Sequence, residues 1–371
     1  ERLARITSAC KCTLGHSIAV PKRLNALAQP LFPCPVPRAP YRSSTQQRHA
    51  TIPAPPYRIA PLSWLQRLKP FRFVGESLPC ALCGGEERCV VGTRDRYWQP
   101  LRNVLCKRCG LVFLDPMPSS AEIERYYRDE YREHYHGDSK PRAKALLRDE
   151  RGARERVALL AVLLRKGDRI LDIGAGTGAF VAAAKSAGWL PEGVEPHQGF
   201  AAFAREHYHA DIHATTLEDA PLKPGSFDLV SSSHVFEHLR APDAAFALVH
   251  RLLKPNGFFH INVPDIADPQ RTPSARWHFG HVHGFTRETL AMLAWRSGFD
   301  VLPESPSQGP NLLLQRLDQP VSDWLRFPDH AARMQAFFAE HTTWRHFTSA
   351  TPYRRFFARM RRFRRERQQL R

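Results

Sequence analysis

A chain of 371 residues, 43% of them hydrophobic, is long enough to bury a sizeable core as one large domain with attachments or as two domains. Its net charge of +18 sits at the ends: residues 1–70 hold eleven Lys/Arg against Glu1, residues 353–371 hold nine Arg against Glu366, and residues 71–352 hold 34 bases and 34 acids. The body therefore lacks bulk attraction for a polyanion, which argues against nucleic acid, and no apolar run approaches the roughly 18–20 residues of a membrane-spanning helix.

Residues 1–70 read as a disordered, basic leader, because Pro30, Pro33, Pro35, Pro37, Pro40, Pro53, Pro55, Pro56 and Pro61 break regular structure and little apolar surface is available to order the rest. The leader lacks the apolar core of a secretory signal, and its Arg-rich, acid-poor character resembles a transit peptide. The expected location is cytoplasmic.

Residues 71–120 read as a small module built on Cys80-x-x-Cys83 and Cys106-x-x-Cys109, each pair followed by a glycine, Gly84 and Gly110. Two residues between thiolates let both sulfurs face one ion, so the expectation is a structural zinc held by all four; paired disulfides are the competing account. A site with four thiolates has no open position for chemistry. Cys10, Cys12, Cys34 and Cys89 are expected to be free thiols. Residues 121–165 read as a helical connector.

From 166 to 318 short apolar runs alternate with amphipathic segments, the pattern of a parallel sheet flanked by helices. The predicted strands are Arg169–Ile173, Pro191–Val194, Asp211–His213, Phe227–Ser231, Gly257–Asn262 after a turn at Lys254–Gly257, Phe299–Leu302 and Asn311–Gln315. The predicted helices are Ala179–Ala187, Phe200–His207, Ala244–Leu253 and Thr286–Ser297. The fold class is α/β, a Rossmann-like sheet of seven strands. Residues 319–371 form a helical, basic extension.

The strand ending in Asp172 runs into Gly174-Ala-Gly176-Thr-Gly178 and then a helix, a loop that brings backbone close to a ligand. Dinucleotide folds favour G-x-G-x-x-G with pyrophosphate on the helix N-terminus. Here the third glycine comes one residue earlier, and Asp172 would repel pyrophosphate but suit a cationic amino-acid group. Glu195, seventeen residues after Gly178, can accept hydrogen bonds from both ribose hydroxyls, which fits a dinucleotide as well as an adenosyl cofactor.

In order along the chain, Leu171–Phe180, Gly193–Pro196, Phe227–Val230, Val235–Leu239 and Leu253–Gly257 resemble the successive motifs of class I S-adenosylmethionine (SAM)-dependent methyltransferases. The resemblance runs from about Cys80 to Arg316. It implies that Asp172, Gly174, Gly176 and Gly178 face the methionine of SAM, Glu195 the ribose, Leu217 and Glu218 the adenine, and that His234 lines the cofactor pocket. Thr216 stands where many relatives carry Asp. The cysteine module and Tyr126-Tyr127 resemble a bacterial subgroup with an N-terminal zinc ribbon, which implies sugar, polysaccharide or natural-product acceptors.

Methyl transfer is an in-line displacement that needs alignment and the removal of a proton. The bases expected beyond strands four and five are His238, His281 and His283, of which His281 and His283 also suit a metal or a plain site wall. Near the end, Tyr353–Phe363 places Phe356, Met360 and Phe363 on one helical face among arginines, suited to an anionic membrane surface or to RNA, with a solvated tail as the plain alternative. The expected activity is methyl transfer to a hydroxyl or carbon of a small, sugar-containing or lipid-linked acceptor. An RNA methyltransferase and a non-catalytic SAM-binding module are the alternatives.

Overall fold

Two sheets organise the chain, and their strand orders explain where its cavity opens. The computed structural model describes residues 71–127, 141 and 143–369, all within one compact unit. The leader, with Cys10, Cys12 and Cys34, lies outside the described residues.

The first sheet is antiparallel and runs β1 (Arg88–Arg94), β2 (Pro100–Cys106), β3 (Val112–Leu114), β9 (His283–Gly284). Its last strand comes from far along the chain: Val112 pairs with Gly284 and Phe113 with His283. The cysteine module is therefore closed by the segment Trp277–Phe285. Phe71, Tyr126 and Phe279 pack edge and face at centroid distances of 4.5–5.3 Å and seal that junction. A short helix α1 (Ser120–Tyr126) starts in a capping box, with Ser119 and Glu122 satisfying each other's backbone N–H.

The second sheet has seven strands in the order β10 (Phe299–Val301), β11 (Asn311–Arg316), β8 (Leu253–Asn262), β7 (Phe227–Ser233), β4 (Arg169–Ile173), β5 (Leu190–Val194), β6 (Ile212–His213). Strands β4 to β8 are parallel, whereas β11 runs antiparallel to both β8 and β10. The sheet is thus mixed, not parallel throughout as its alternation suggests, because no helix lies between β10 and β11 and the chain turns straight back. The expected turn at Lys254–Gly257 is absorbed into β8, where the register against β7 slips between Phe227 and Leu229.

Helix α2 (Ala143–Leu160) is more than a connector. It packs Ala153 and Leu160 into one apolar cluster with Ile170, Ala179 and Phe180, so it lies against β4 and helix α3 (Ala179–Ser186). Helices α4 (Gln198–Tyr208), α5 (Pro242–Leu252) and α6 (Arg287–Arg296) cover the remaining strands. Beyond β11 come α7 (His330–Glu340), α8 (Thr343–Thr348) and α9 (Thr351–Gln369). On these last two helices Trp344, Phe347, Tyr353, Phe356, Phe357 and Met360 are exposed. The side chain of Phe363 lies outside the described residues. Among the described residues no helix is long and apolar enough to cross a membrane.

Candidate active site

The chain leaves β4 toward β5 and β6 and then returns to the other side of β4 as β7, so neighbouring loops diverge above β4 and β7. Ligands of open α/β sheets bind at such a switch point, beyond the C-terminal strand ends. A cavity of about 490 Å³ lies there, lined by Gly174–Thr177 and Phe180 after β4, Ser233 and His234 at the end of β7, Asn262 after β8, and Arg148, Asp149 and Arg156 of α2.

The three glycines of the loop have different jobs. Each has a positive φ, so each position favours glycine. A Cβ on Gly174 would strike Val235 at 2.4 Å and one on Gly178 would strike Ala204 at 2.6 Å, so these two are required by packing. A Cβ on Gly176 would meet only the Gly174 carbonyl, at 4.0 Å. Gly176 therefore faces open space at the cavity, and packing does not require it.

Asp172 differs from its expected role. Its side chain is buried, does not line the cavity, and gives its oxygens to Arg156, whose guanidinium donates to them at 2.9 and 3.5 Å. Burial pushes its pKa up to about 6 against the opposing pull of Arg156. The cavity wall here carries the Arg156 end of a buried pair, so the free negative charge expected from the sequence is already answered.

Arg156 also donates to the Ser231 hydroxyl at 3.2 Å and stacks over Phe180 at 3.6 Å. Ser231 meets Nδ1 of His260 at 3.0 Å, and Nε2 of His260 meets Asn311 at 3.0 Å. Burial first, and then the charge of Arg156, lower the His260 pKa to about 3, so it is neutral. This chain of Asp172, Arg156, Ser231, His260 and Asn311 crosses four strands and one helix under the cavity. The sequence gives no local signal for it, beyond Arg156 and His260 being polar residues set in apolar runs.

Glu195 ends β5 as expected and is buried. One carboxylate oxygen accepts the Gly176 N–H at 2.8 Å and the other accepts the His197 N–H at 2.8 Å, so the acid ties the second strand to the glycine loop. Burial raises its pKa, with these two N–H donors opposing. Leu217 is buried and Glu218 is exposed; neither lines the cavity. Thr216 accepts the Asp219 N–H at 3.3 Å and donates to the Asp219 carboxylate, closing a turn around them.

The expected bases divide. His283 is 1% exposed, donates Nδ1–H to the Leu239 carbonyl and stacks with Phe285 in the β3–β9 junction. Burial lowers its pKa to about 4. It is a packed, neutral residue out of reach of an acceptor. His238 and His281 lie together, with ring centroids 4.9 Å apart, and His278 packs on His281 at 3.9 Å. Burial drives His281 well below its ordinary value, with His278 and His238 adding to it. Tyr127 places its hydroxyl 2.6 Å from Nδ1 of His238. His234 has a left-handed backbone (φ 59) and an exposed side chain, and it both lines the cavity and faces the cluster. Sequence reading missed Tyr127 and Glu237 as parts of this cluster, although both sit inside motifs it singled out.

The four predicted metal ligands converge. Sγ of Cys80 lies 3.5 Å from that of Cys109, Cys83 lies 3.4 Å from Cys106, and all four sulfurs fall within 4.8 Å of one another. These spacings exclude disulfides, and zinc–sulfur bonds of about 2.3 Å hold tetrahedral sulfurs about 3.8 Å apart. A Cβ on Gly85 would press on two of the sulfurs, at 3.2 and 3.4 Å, so the backbone closes tightly round the group.

Residues 145–304 match the family described as Methyltransferase domain. The chain is 36% identical over 112 residues to a malonyl-[acyl-carrier protein] O-methyltransferase of Geobacter sulfurreducens, covering 27% of this chain and 41% of the relative. It is 31% identical over 98 residues to a ubiquinone biosynthesis O-methyltransferase of Thiobacillus denitrificans, covering 25% and 42%. The chain thus spans about two fifths of the length of these curated relatives. Among solved structures it is similar to the 1,6-didemethyltoxoflavin-N1-methyltransferase of Burkholderia thailandensis, at 20% identity and a TM-score of 0.42, covering 56% of this chain and 96% of that one. The segment 145–304 is thus the part of the chain that is similar to a methyltransferase domain.

Proposed function

We propose that the protein is a SAM-dependent methyltransferase acting on a hydroxyl or carbon of a small, sugar-containing acceptor in the cytoplasm. The observation that carries this reading is the open space in front of Gly176, at a switch-point cavity, with the Glu195 carboxylate bound to the same glycine's N–H. Methionine of SAM would lie along Gly174–Gly178 with Arg148 and Arg156 facing its carboxylate, and ribose would reach Glu195. Leu217 and Glu218, outside the cavity, would meet adenine where it extends beyond Glu195. The names of the two relatives described above denote O-methylation and that of another, from Rubrivivax gelatinosus, C-methylation, which supports an oxygen or carbon acceptor.

The acceptor stands beside His234, His238 and His281, and one of these imidazoles takes its proton as its oxygen or carbon takes the methyl group from sulfur. The four cysteines hold a structural zinc. The basic helix α9, with Phe356 and Met360 exposed, rests on an anionic membrane surface that would bring a lipid-linked acceptor within reach. The neutral charge of residues 71–352 weighs against nucleic acid.

The test is SAM titration together with transfer of labelled methyl to fractionated small metabolites. SAM binding is expected, weakened about tenfold or more by Glu195→Gln, with label entering one fraction. Tight binding with no label in any acceptor would assign the chain to a non-catalytic SAM-binding role.

A further inference from the structure

The Glu237 carboxylate is 2% exposed, and neither of its oxygens accepts a hydrogen bond. A buried carboxylate left in that state costs several kcal/mol, roughly, unless a cation answers it. Three imidazole nitrogens surround its Oε1: His234 Nδ1 at 3.5 Å, His238 Nε2 at 3.6 Å and His281 Nε2 at 3.9 Å.

The tautomer of His238 is set by the neighbours of its other nitrogen. Its Nδ1 lies 2.6 Å from both the Gly280 carbonyl and the Tyr127 hydroxyl; the carbonyl can only accept, and the hydroxyl gives its own hydrogen to that carbonyl at 3.4 Å, so hydrogen on Nδ1 satisfies both. In the neutral ring Nε2 then bears a lone pair, and that lone pair faces a carboxylate oxygen. Two acceptors facing each other need a cation between them. A shared proton would draw them to about 2.7–2.9 Å. An ion with bonds of about 2.0–2.2 Å to nitrogen and oxygen would instead hold tetrahedral donors about 3.4 Å apart, close to the observed separations.

We propose that Glu237, His238 and His281 hold a divalent transition-metal ion of the zinc class, distinct from the four-cysteine site. One donor atom from each of the three lies within 4.8 Å of the others. The Nδ1–H bond of His238 to a backbone carbonyl is the outer contact that orients metal-ligating imidazoles. Imidazole with carboxylate is a donor set that zinc accepts readily, and three protein donors leave a position open. His234, at the cavity wall, stands on the same carboxylate oxygen, so the ion lies beside the cofactor cavity. A hydroxyl bound at the open position would lose its proton more easily. That use of the ion rests on the methyl-transfer reading; the binding of the ion does not.

The experiment is a titration of the metal-depleted full chain with Co²⁺ alone. Thiolate ligation gives an intense near-ultraviolet charge-transfer band, whereas an imidazole–carboxylate site gives only weak visible bands. The expected result is a thiolate-bound ion plus a second ion without thiolate, with Glu237→Gln and His281→Asn each losing only the second. Uptake of no ion beyond the thiolate-bound one, or retention of the second ion by either variant, overturns the proposal. Should a variant not fold, zinc absorption-edge spectroscopy of the wild type decides: nitrogen and oxygen scatterers beside sulfur support the site, and sulfur alone overturns it. Failure of methyl transfer with both ions bound would count against the enzyme reading and leave the metal site standing.

Discussion

Arg156 and Asp172 form a buried ion pair at 2.9 Å beneath the glycine loop, one residue on the helix over the cavity and the other at the end of the first parallel strand. The pair fixes α2 to the sheet, and the same guanidinium reaches Ser231. Removing one partner leaves a buried charge alone. Arg156→Met is therefore expected to lower stability by about 3–5 kcal/mol, and Arg156→Met/Asp172→Asn together by less than Arg156→Met alone. Denaturant unfolding of the single and double variants measures the difference; additive losses would show that the two residues do not act as a pair.

The raised pKa of Asp172 also sets a pH dependence. Its folded value of about 6 lies above the ordinary 3.8, so between these values the folded state holds a proton that the unfolded chain has released. The group's contribution to stability is therefore full below about pH 4 and is lost as pH rises through about 6. Asp172→Asn should remove that slope. Plotting the wild-type minus variant unfolding free energy from pH 4 to 7 checks this; a difference that grows with pH would contradict it.

The glycines separate folding from binding. Gly176→Ala is expected to keep the fold at a cost of about 1–2 kcal/mol for its left-handed backbone, while weakening SAM about tenfold or more. Gly178→Ala carries the same strain and adds a clash with Ala204, about 1–3 kcal/mol more. Thermal unfolding with SAM titration distinguishes them. Equal losses of stability in both variants would mean that Gly176 is a packing residue too.

Local patterns made most of the seven-stranded sheet legible. Arg169–Ile173, the glycine loop and Glu195 stand where their sequence places them, because each is set by neighbours within a few residues. The far edge of the sheet was less legible, since the direction of β11 depends on a connection without a helix. The polar floor under the cavity was not legible at all: His260 and Asn311 meet only because β8 and β11 are neighbours. The Trp277–Phe285 segment reads as a site wall, yet a two-residue strand such as β9 has no periodicity from which its pairing with β3 could be seen.

That pairing couples the cysteine site to the histidine cluster. Arg296 of α6 donates to the Ala81 carbonyl at 2.9 Å, and Leu114 donates its N–H to the Val282 carbonyl at 3.0 Å, so both ends of the module are tied to the rest of the fold. Between them, Gly280 and His281 lie a few residues before β9. Cys83→Ser, which leaves Glu237, His238 and His281 untouched, should loosen β1, β2 and β3 and, through the β3–β9 pairing, the Gly280–His281 turn. Amide exchange there is expected to quicken about 100-fold, while β4, β7 and β8 keep their protection. Exchange that quickens in β1–β3 but not at residues 280–284 would show that the turn is held by the seven-stranded sheet and its helices alone, and the cysteine module would then have no part in positioning His281.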